Sequence, residues 1–156
     1  MTRRRSLLVL AASSWAAHAW AHHGWDIYDT RRPLYVEGLV VTLTWADPHP
    51  RLELLHRPEY ALARNLAESD VPAQKESSDV KDILRRAVVP TGPEARWRVD
   101  LPELNRLVAW DLKRPKIGMR LGVLGYAGPP VTGTATMAAE VLFIGERAYP
   151  MRSDPA

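Results

Sequence analysis

Leu34 to Trp45 reads Leu-Tyr-Val-Glu-Gly-Leu-Val-Val-Thr-Leu-Thr-Trp, a run of β-branched and aromatic residues that predicts one long strand. Gly38 stands in its middle. Glycine packs no side chain, so inside a strand it marks a bulge or a sharp bend. A long first strand that bends at its centre suits a small closed barrel better than a flat sheet.

The next residues, Asp47-Pro48-His49-Pro50, form a turn by virtue of their prolines. Arg51 to His56 then alternates, with Leu52 and Leu54 on one face and Arg51 and Glu53 on the other. Arg96 to Leu101 gives the clearest alternation, Trp97, Val99 and Leu101 opposing Arg96, Arg98 and Asp100. Pro102 opens a helix carrying Leu104, Leu107, Val108 and Leu112, and Pro115 stops it. Met119 to Tyr126 and Thr136 to Ile144 are two further strands, joined through Gly128-Pro129-Pro130. Glu146 to Met151 adds a short terminal strand.

This order predicts a mainly β chain: a small OB-like Greek-key barrel of five to six strands, with one helix between strands three and four. A four- or five-stranded open sheet with one helix has the same linear order. Gly38, Gly122 and Gly125 lie inside strands, where closure requires bends, and they favour the barrel. Residues 57–95 interrupt the pattern. Helical signals at Glu59 to Ala67 and Asp79 to Ala87 flank a Ser69 to Ser78 stretch with no apolar period. The expectation is an insertion, partly helical, that lies against the domain or is partly disordered, and a solvated excursion rather than a functional lid.

The amino terminus has the parts of a removable leader. Arg3, Arg4 and Arg5 precede the apolar Leu7 to Ala12, and two small-residue sites follow, Ala17-His18-Ala19 and Ala19-Trp20-Ala21. The apolar run falls short of the ~20 residues that span a bilayer, so no stable anchor is expected after cleavage. Residues 1–21 are therefore read as a secretory signal and 22–156 as one domain, periplasmic or secreted. Thr2 to Leu8 also echoes a twin-arginine signal, but Ser6 stands where a bulky apolar residue is usual, which favours the Sec route.

Composition matters here through charge and cysteine. Of the 21 Lys and Arg, three lie in the leader, leaving 18 against 18 Asp and Glu. The basic excess belongs to the leader, which argues against a nucleic-acid-binding face. There is no cysteine. Thiolate metal sites and thiol catalysis are thereby excluded, and His, Asp and Glu are the available ligands.

Ala21-His22-His23-Gly24-Trp25, Tyr35-Val36-Glu37-Gly38 and Trp45-Ala46-Asp47-Pro48-His49 together resemble a family of small exported bacterial proteins of unknown function. Its members typically start the mature chain with His-His and carry an Asn-Pro-His turn after the first strand. The likeness continues through Trp97 to Leu101, Ile117-Gly118 and Gly145 to Tyr149. The chain departs from it at Asp47, which replaces Asn, at Met119, which replaces an acidic residue, and in its longer insertion. The resemblance implies an exported, β-rich domain and no particular activity.

Four histidines follow the leader: His22, His23, His49 and His56. Cleavage after Ala21 would make His22 the first residue, so that its amine and ring nitrogen could chelate one metal ion. A third nitrogen would complete a T-shaped site, an arrangement that resembles the histidine brace of copper-dependent oxygenases. Nitrogen donors and tetragonal geometry favour copper among the divalent ions. Cleavage after Ala19 would instead place His22 third, behind a free amine, which also suits Cu(II) or Ni(II). His49 is the partner from elsewhere, its backbone restricted by Pro48 and Pro50. Asp47 could orient it or add an oxygen ligand. His23 would most often point away from a chelate made by its neighbour. His56 follows the face of Leu52 and Leu54 and reads as a satisfied core or rim residue. The metal set is therefore His22, His49, His23 and Asp47, with copper as the candidate cofactor. A metal-free OB-like module contacting an envelope protein or a glycan is the alternative.

No Gly-x-Ser-x-Gly, His-Glu-x-x-His or phosphate-cradling glycine loop occurs. An oxidative copper enzyme would need a substrate surface, and no residue pattern names one. Trp25 and Trp45 flank the histidines as a candidate apolar wall, whereas Trp97 and Trp110 follow apolar faces and read as core.

Overall fold

The computed structural model describes residues 26–61, 65–76 and 78–156. Its strands are β1 (Pro33–Thr44), β2 (Arg51–His56), β3 (Ala95–Asp100), β4 (Arg120–Val131), β5 (Thr134–Ile144) and β6 (Arg147–Pro150). The helices are α1 (Pro58–Ala61), α2 (Val80–Arg86) and α3 (Leu104–Ala109), with a 3-10 turn at Leu66–Glu68.

The bend at Gly38 organises the barrel. Before it, β1 pairs antiparallel with β4, from Pro33 opposite Tyr126 to Leu39 opposite Arg120. Beyond it, β1 pairs with β2, from Gly38 opposite His56 to Thr44 opposite Arg51. One strand thus serves two neighbours, and the crossing leaves no room for a side chain. A Cβ on Gly38 would stand 2.5 Å from the Leu55 carbonyl oxygen. Gly125 plays the same part at a bulge between β4 and β5, where a Cβ would stand 2.0 Å from the Ala138 carbonyl oxygen. β2 pairs antiparallel with β3, and β3 closes the barrel by pairing parallel with β5, from Trp97 opposite Ala135 to Asp100 opposite Ala138. β6 occupies the rest of that edge of β5. The circuit β1-β2-β3-β5-β4 is an OB-like Greek-key barrel, with α3 between β3 and β4.

Two connections differ from the sequence expectation. β4 runs on through Gly128-Pro129-Pro130, and the hairpin turns at Thr132-Gly133, both with positive φ (47° and 78°). Positive φ at both central residues is the backbone that matches the twist of a two-residue hairpin. The prolines sit where the ladder slips between Gly128 and Val131, a place that asks no N–H of them. The helix is also shorter than Pro102 to Pro115. Asp111 adopts φ 52°, its amide donates to Val108 O at 2.8 Å, and the Leu112 amide donates to Leu107 O at 2.9 Å. That pair of bonds is a Schellman stop. It turns Leu112 back into the core, while Val108, expected on the apolar face, is 72% exposed.

The barrel interior is filled by Val36, Val40, Leu52, Leu54, Val99, Leu121, Val123 and Leu142, and α3 adds Leu107. A second apolar layer lies outside β1, β4 and β5. There Tyr35, Leu124, Tyr126, Val141 and Phe143 meet Ile83 and Leu84 of α2. At α2 the insertion lies against the domain, one of the two arrangements expected of it, rather than forming a solvated excursion: Ile83 and Leu84 are 7% and 2% exposed. The second layer explains why Leu121 to Tyr126 and Thr136 to Phe143 are buried continuously, whereas β2 alternates. α2 starts on Asp79, whose side chain accepts from the Asp82 amide at 2.9 Å.

A candidate ligand cleft beside His49

β1 and β2 are joined by the turn that carries Asp47 and His49, and the Asp47–Pro48 peptide within it is cis. Asp47 has a structural task. Its Oδ1 accepts from the Leu104 amide at 2.9 Å, capping α3 from a distant part of the chain. The residue that occupies the capping position itself, Glu103, makes no side-chain cap. Helix starts leave their first amides without intrahelical partners, and a carboxylate satisfies one while complementing the helix dipole. The cap holds the turn against α3 and leaves His49 exposed next to it.

His49 borders a cleft of about 520 Å³. The first described residues form another side of it, because Ile27 and Tyr28 line the same space. Tyr28 is fixed there by its own contacts and by its neighbour's. Its hydroxyl donates to Asp100 Oδ2 at 3.0 Å. Its ring lies on Gly128, where a Cβ would come within 2.7 Å of it. The following amide, of Asp29, donates to Ala127 O at 2.9 Å. Burial, and then the neighbouring Asp100 charge and hydrogen bond, push the Tyr28 hydroxyl up to about 12, against a smaller opposing effect of Arg98.

The rest of the wall is cationic. Arg51 opens β2, Arg98 and Asp100 end β3, and Arg106 lies on α3. Arg98 is neutralised locally, donating from Nε and Nη2 to Asp100 Oδ1 at 3.3 Å each. Arg106 reaches Met151 O from Nη1 at 3.4 Å. The Nε atoms of Arg51 and Arg106 are buried and find no acceptor among the described residues. An unsatisfied buried donor typically costs about 1–3 kcal/mol, so two of them on one cleft wall are unusual.

Of the sequence-derived metal ligands, His22 and His23 lie outside the described residues. Asp47 and His49 share one turn, with the Asp47 carboxylate committed on one side to α3. No group of three or more His, Asp or Glu capable of holding a metal ion occurs among the described residues. Trp25 also lies outside them. Trp45 packs partly buried against the barrel core rather than lining the cleft. Trp97 packs against the same core, and Trp110 is buried in it, donating from Nε1 to Ser153 O at 2.9 Å. His56 is 1% exposed, with Nδ1 2.8 Å from Glu37 O and Nε2 3.4 Å from Pro90 O. It is a core histidine that ties β2 to β1.

Sequence reasoning missed Arg51 and Arg106. Arg51 reads as part of the polar face of β2, and nothing in one dimension says that it shares a cleft with Arg106 of α3. It also missed Glu140, fully buried on β5 and held by Arg152 through Nε–Oε1 (3.1 Å) and Nη2–Oε2 (2.8 Å).

A sequence model of a family of unknown function, DUF6152, matches residues 9–71. The chain is similar to that family over β1, the Asp-Pro-His turn and β2. No curated protein matches the chain.

Proposed function

We propose that this is an exported binding protein that holds a transition-metal ion, copper foremost, between His49 and the amino terminus left by removal of a leader. The observation that carries the reading is that Ile27 and Tyr28 border the same cleft as His49. His22 precedes Ile27 by five residues, and extended chain covers at most about 3.6 Å per residue. A terminus beginning at His22 is thus tethered within roughly 18 Å of that cleft. A short tether raises the effective concentration of its donors at His49.

The donor set is the amine and ring of His22 with the ring of His49. Asp47 offers its remaining carboxylate oxygen or orients the turn, and His23 is the alternative ring. Three nitrogens in a T suit Cu(II), and the absence of cysteine removes thiolate as a competing ligand. The role is handling or storage of the ion. The leader pattern supports a location in the periplasm or outside the cell, where an envelope protein would be the partner for ion transfer.

Calorimetric titration of Cu(II) into untagged protein starting at His22 tests the reading. One ion per chain is expected, weakened at least about tenfold by His49→Ala and again by one residue added ahead of His22, each tenfold being 1.4 kcal/mol. Binding indifferent to both changes would contradict it. Chelated protein that still co-purifies with an envelope protein or a glycan would favour the metal-free OB-like module instead.

A further inference from the structure

The cationic wall of the cleft carries an inference independent of any metal. We propose that the cleft binds a small organic monoanion, a carboxylic acid with a short apolar or aromatic body, through Arg51 and Arg106.

Charge favours a carboxylate. Three arginines and two acids, Asp100 and Glu103, face the cleft. Arg98 and Asp100 pair with each other, and Asp100 also accepts from Tyr28. Neither Arg51 nor Arg106 has an acidic partner among the described residues, and their Nε atoms have no acceptor. With His49 neutral, the wall holds one formal positive charge in excess, which a monoanion balances and a dianion overshoots. Guanidinium forks recognise planar carboxylates through two parallel N–H···O bonds, so turning either fork to a bound carboxylate would satisfy the orphaned donor.

The remaining lining sets the body of the ligand. Ile27, Leu101, Ala139 and Met151 give apolar surface, and Ile27 is 58% exposed at the mouth. A volume of about 520 Å³ lies within the range of small-molecule sites, which combine an apolar wall with a few convergent polar groups. The site is distinct from the acidic cleft of about 510 Å³ formed by Glu37, Glu68, Asp70 and Glu146 on the other wall of the barrel.

The test uses full-length mature protein treated with chelator, titrated with benzoate, its neutral isostere benzamide and inorganic phosphate while backbone amide NMR shifts are followed. Benzoate is expected to bind with a Kd on the order of a millimolar or below, as suits a fragment of this size. Shifts should map to residues 26–28, 48–51 and 98–106. Arg51→Gln and Arg106→Gln should each weaken benzoate about tenfold, while Arg85→Gln, at an exposed position of α2, leaves it unchanged. Benzamide should not compete.

Equal binding of benzamide, phosphate binding as tight as benzoate, or benzoate binding unaffected by both arginine variants would overturn the proposal. The benzoate–benzamide comparison needs no variant, so a variant that fails to fold does not remove the test. The titration is run on metal-free protein throughout, so its outcome does not depend on copper binding, and failure here is distinguishable from failure of the metal reading.

Discussion

The two walls of this barrel spend their charges differently. On the wall under the insertion, each buried acid is answered. Glu37 accepts from Tyr35 Oη and from Arg120 Nε, both at 2.7 Å, and Arg120 lies 4.5 Å from the Tyr60 ring centre and donates to Tyr60 O. Glu140 is closed by the two-bonded Arg152. On the wall beside His49, two guanidinium nitrogens are buried without acceptors, and one exposed histidine stands in the opening. Satisfied networks fix a fold, whereas unsatisfied ones mark where binding can still gain free energy. The contrast puts the satisfied networks on the insertion side and underlies the proposal of recognition on the turn side.

Breaking the insertion side should have the largest effects. Arg152→Ala strands Glu140, which is 0% exposed, and removing one partner of a buried pair costs about 3–5 kcal/mol. Chemical denaturation should register that loss. Glu140→Gln should cost less, because Arg152 is partly exposed and can turn to water. Leu84→Ala comes next, at about 2–4 kcal/mol if α2 is a genuine layer of the core. A loss within about 0.5 kcal/mol, as for a surface position, would break the comparison.

Smaller effects are expected on the turn side. Asp47→Ala should cost about 0.5–2 kcal/mol through the lost cap on α3, and Asp47→Asn much less, since an amide oxygen can accept the same bond. Thermal melts of the two variants separate capping from any electrostatic role. Tyr28 supplies a pH signature. Its hydroxyl is raised in the folded chain to about 12 from 10.0, so the folded state holds the proton more tightly than the unfolded state. The contribution is complete below pH 10 and is lost as pH rises from about 10 to 12. Burial raises Tyr126 as well, so tyrosinate absorbance should show a late-titrating component that is reduced in Tyr28→Phe, and the stability gap between the two proteins should narrow across that window.

Much of the architecture was legible in one dimension because local chemistry and global fold agree there. The bend at Gly38, the alternation of β2 and β3, and the helix before β4 all come from residues whose own preferences demand them. The failures fall where tertiary partners override local signals. Pro129 and Pro130 read as a turn, but a slipped register accommodates them inside β4. Leu112 reads as helix, but a left-handed Asp111 brings it inward by another route. The helical signal at Asp79 to Ala87 does not say that Ile83 and Leu84 are buried, because their partners are far away in sequence. The same blindness covered the cleft: His49 and Asp47 stood out between prolines, while Arg51 and Arg106 looked like ordinary surface charges until β2 and α3 came together.

The most direct test of the turn side as the recognition side is the electron paramagnetic resonance spectrum of one equivalent of Cu(II) added to protein beginning at His22. The account predicts a single axial species with nitrogen hyperfine structure that loses one nitrogen in His49→Ala. An identical spectrum in that variant, or a signal indistinguishable from aqueous copper in the unaltered protein, would contradict it.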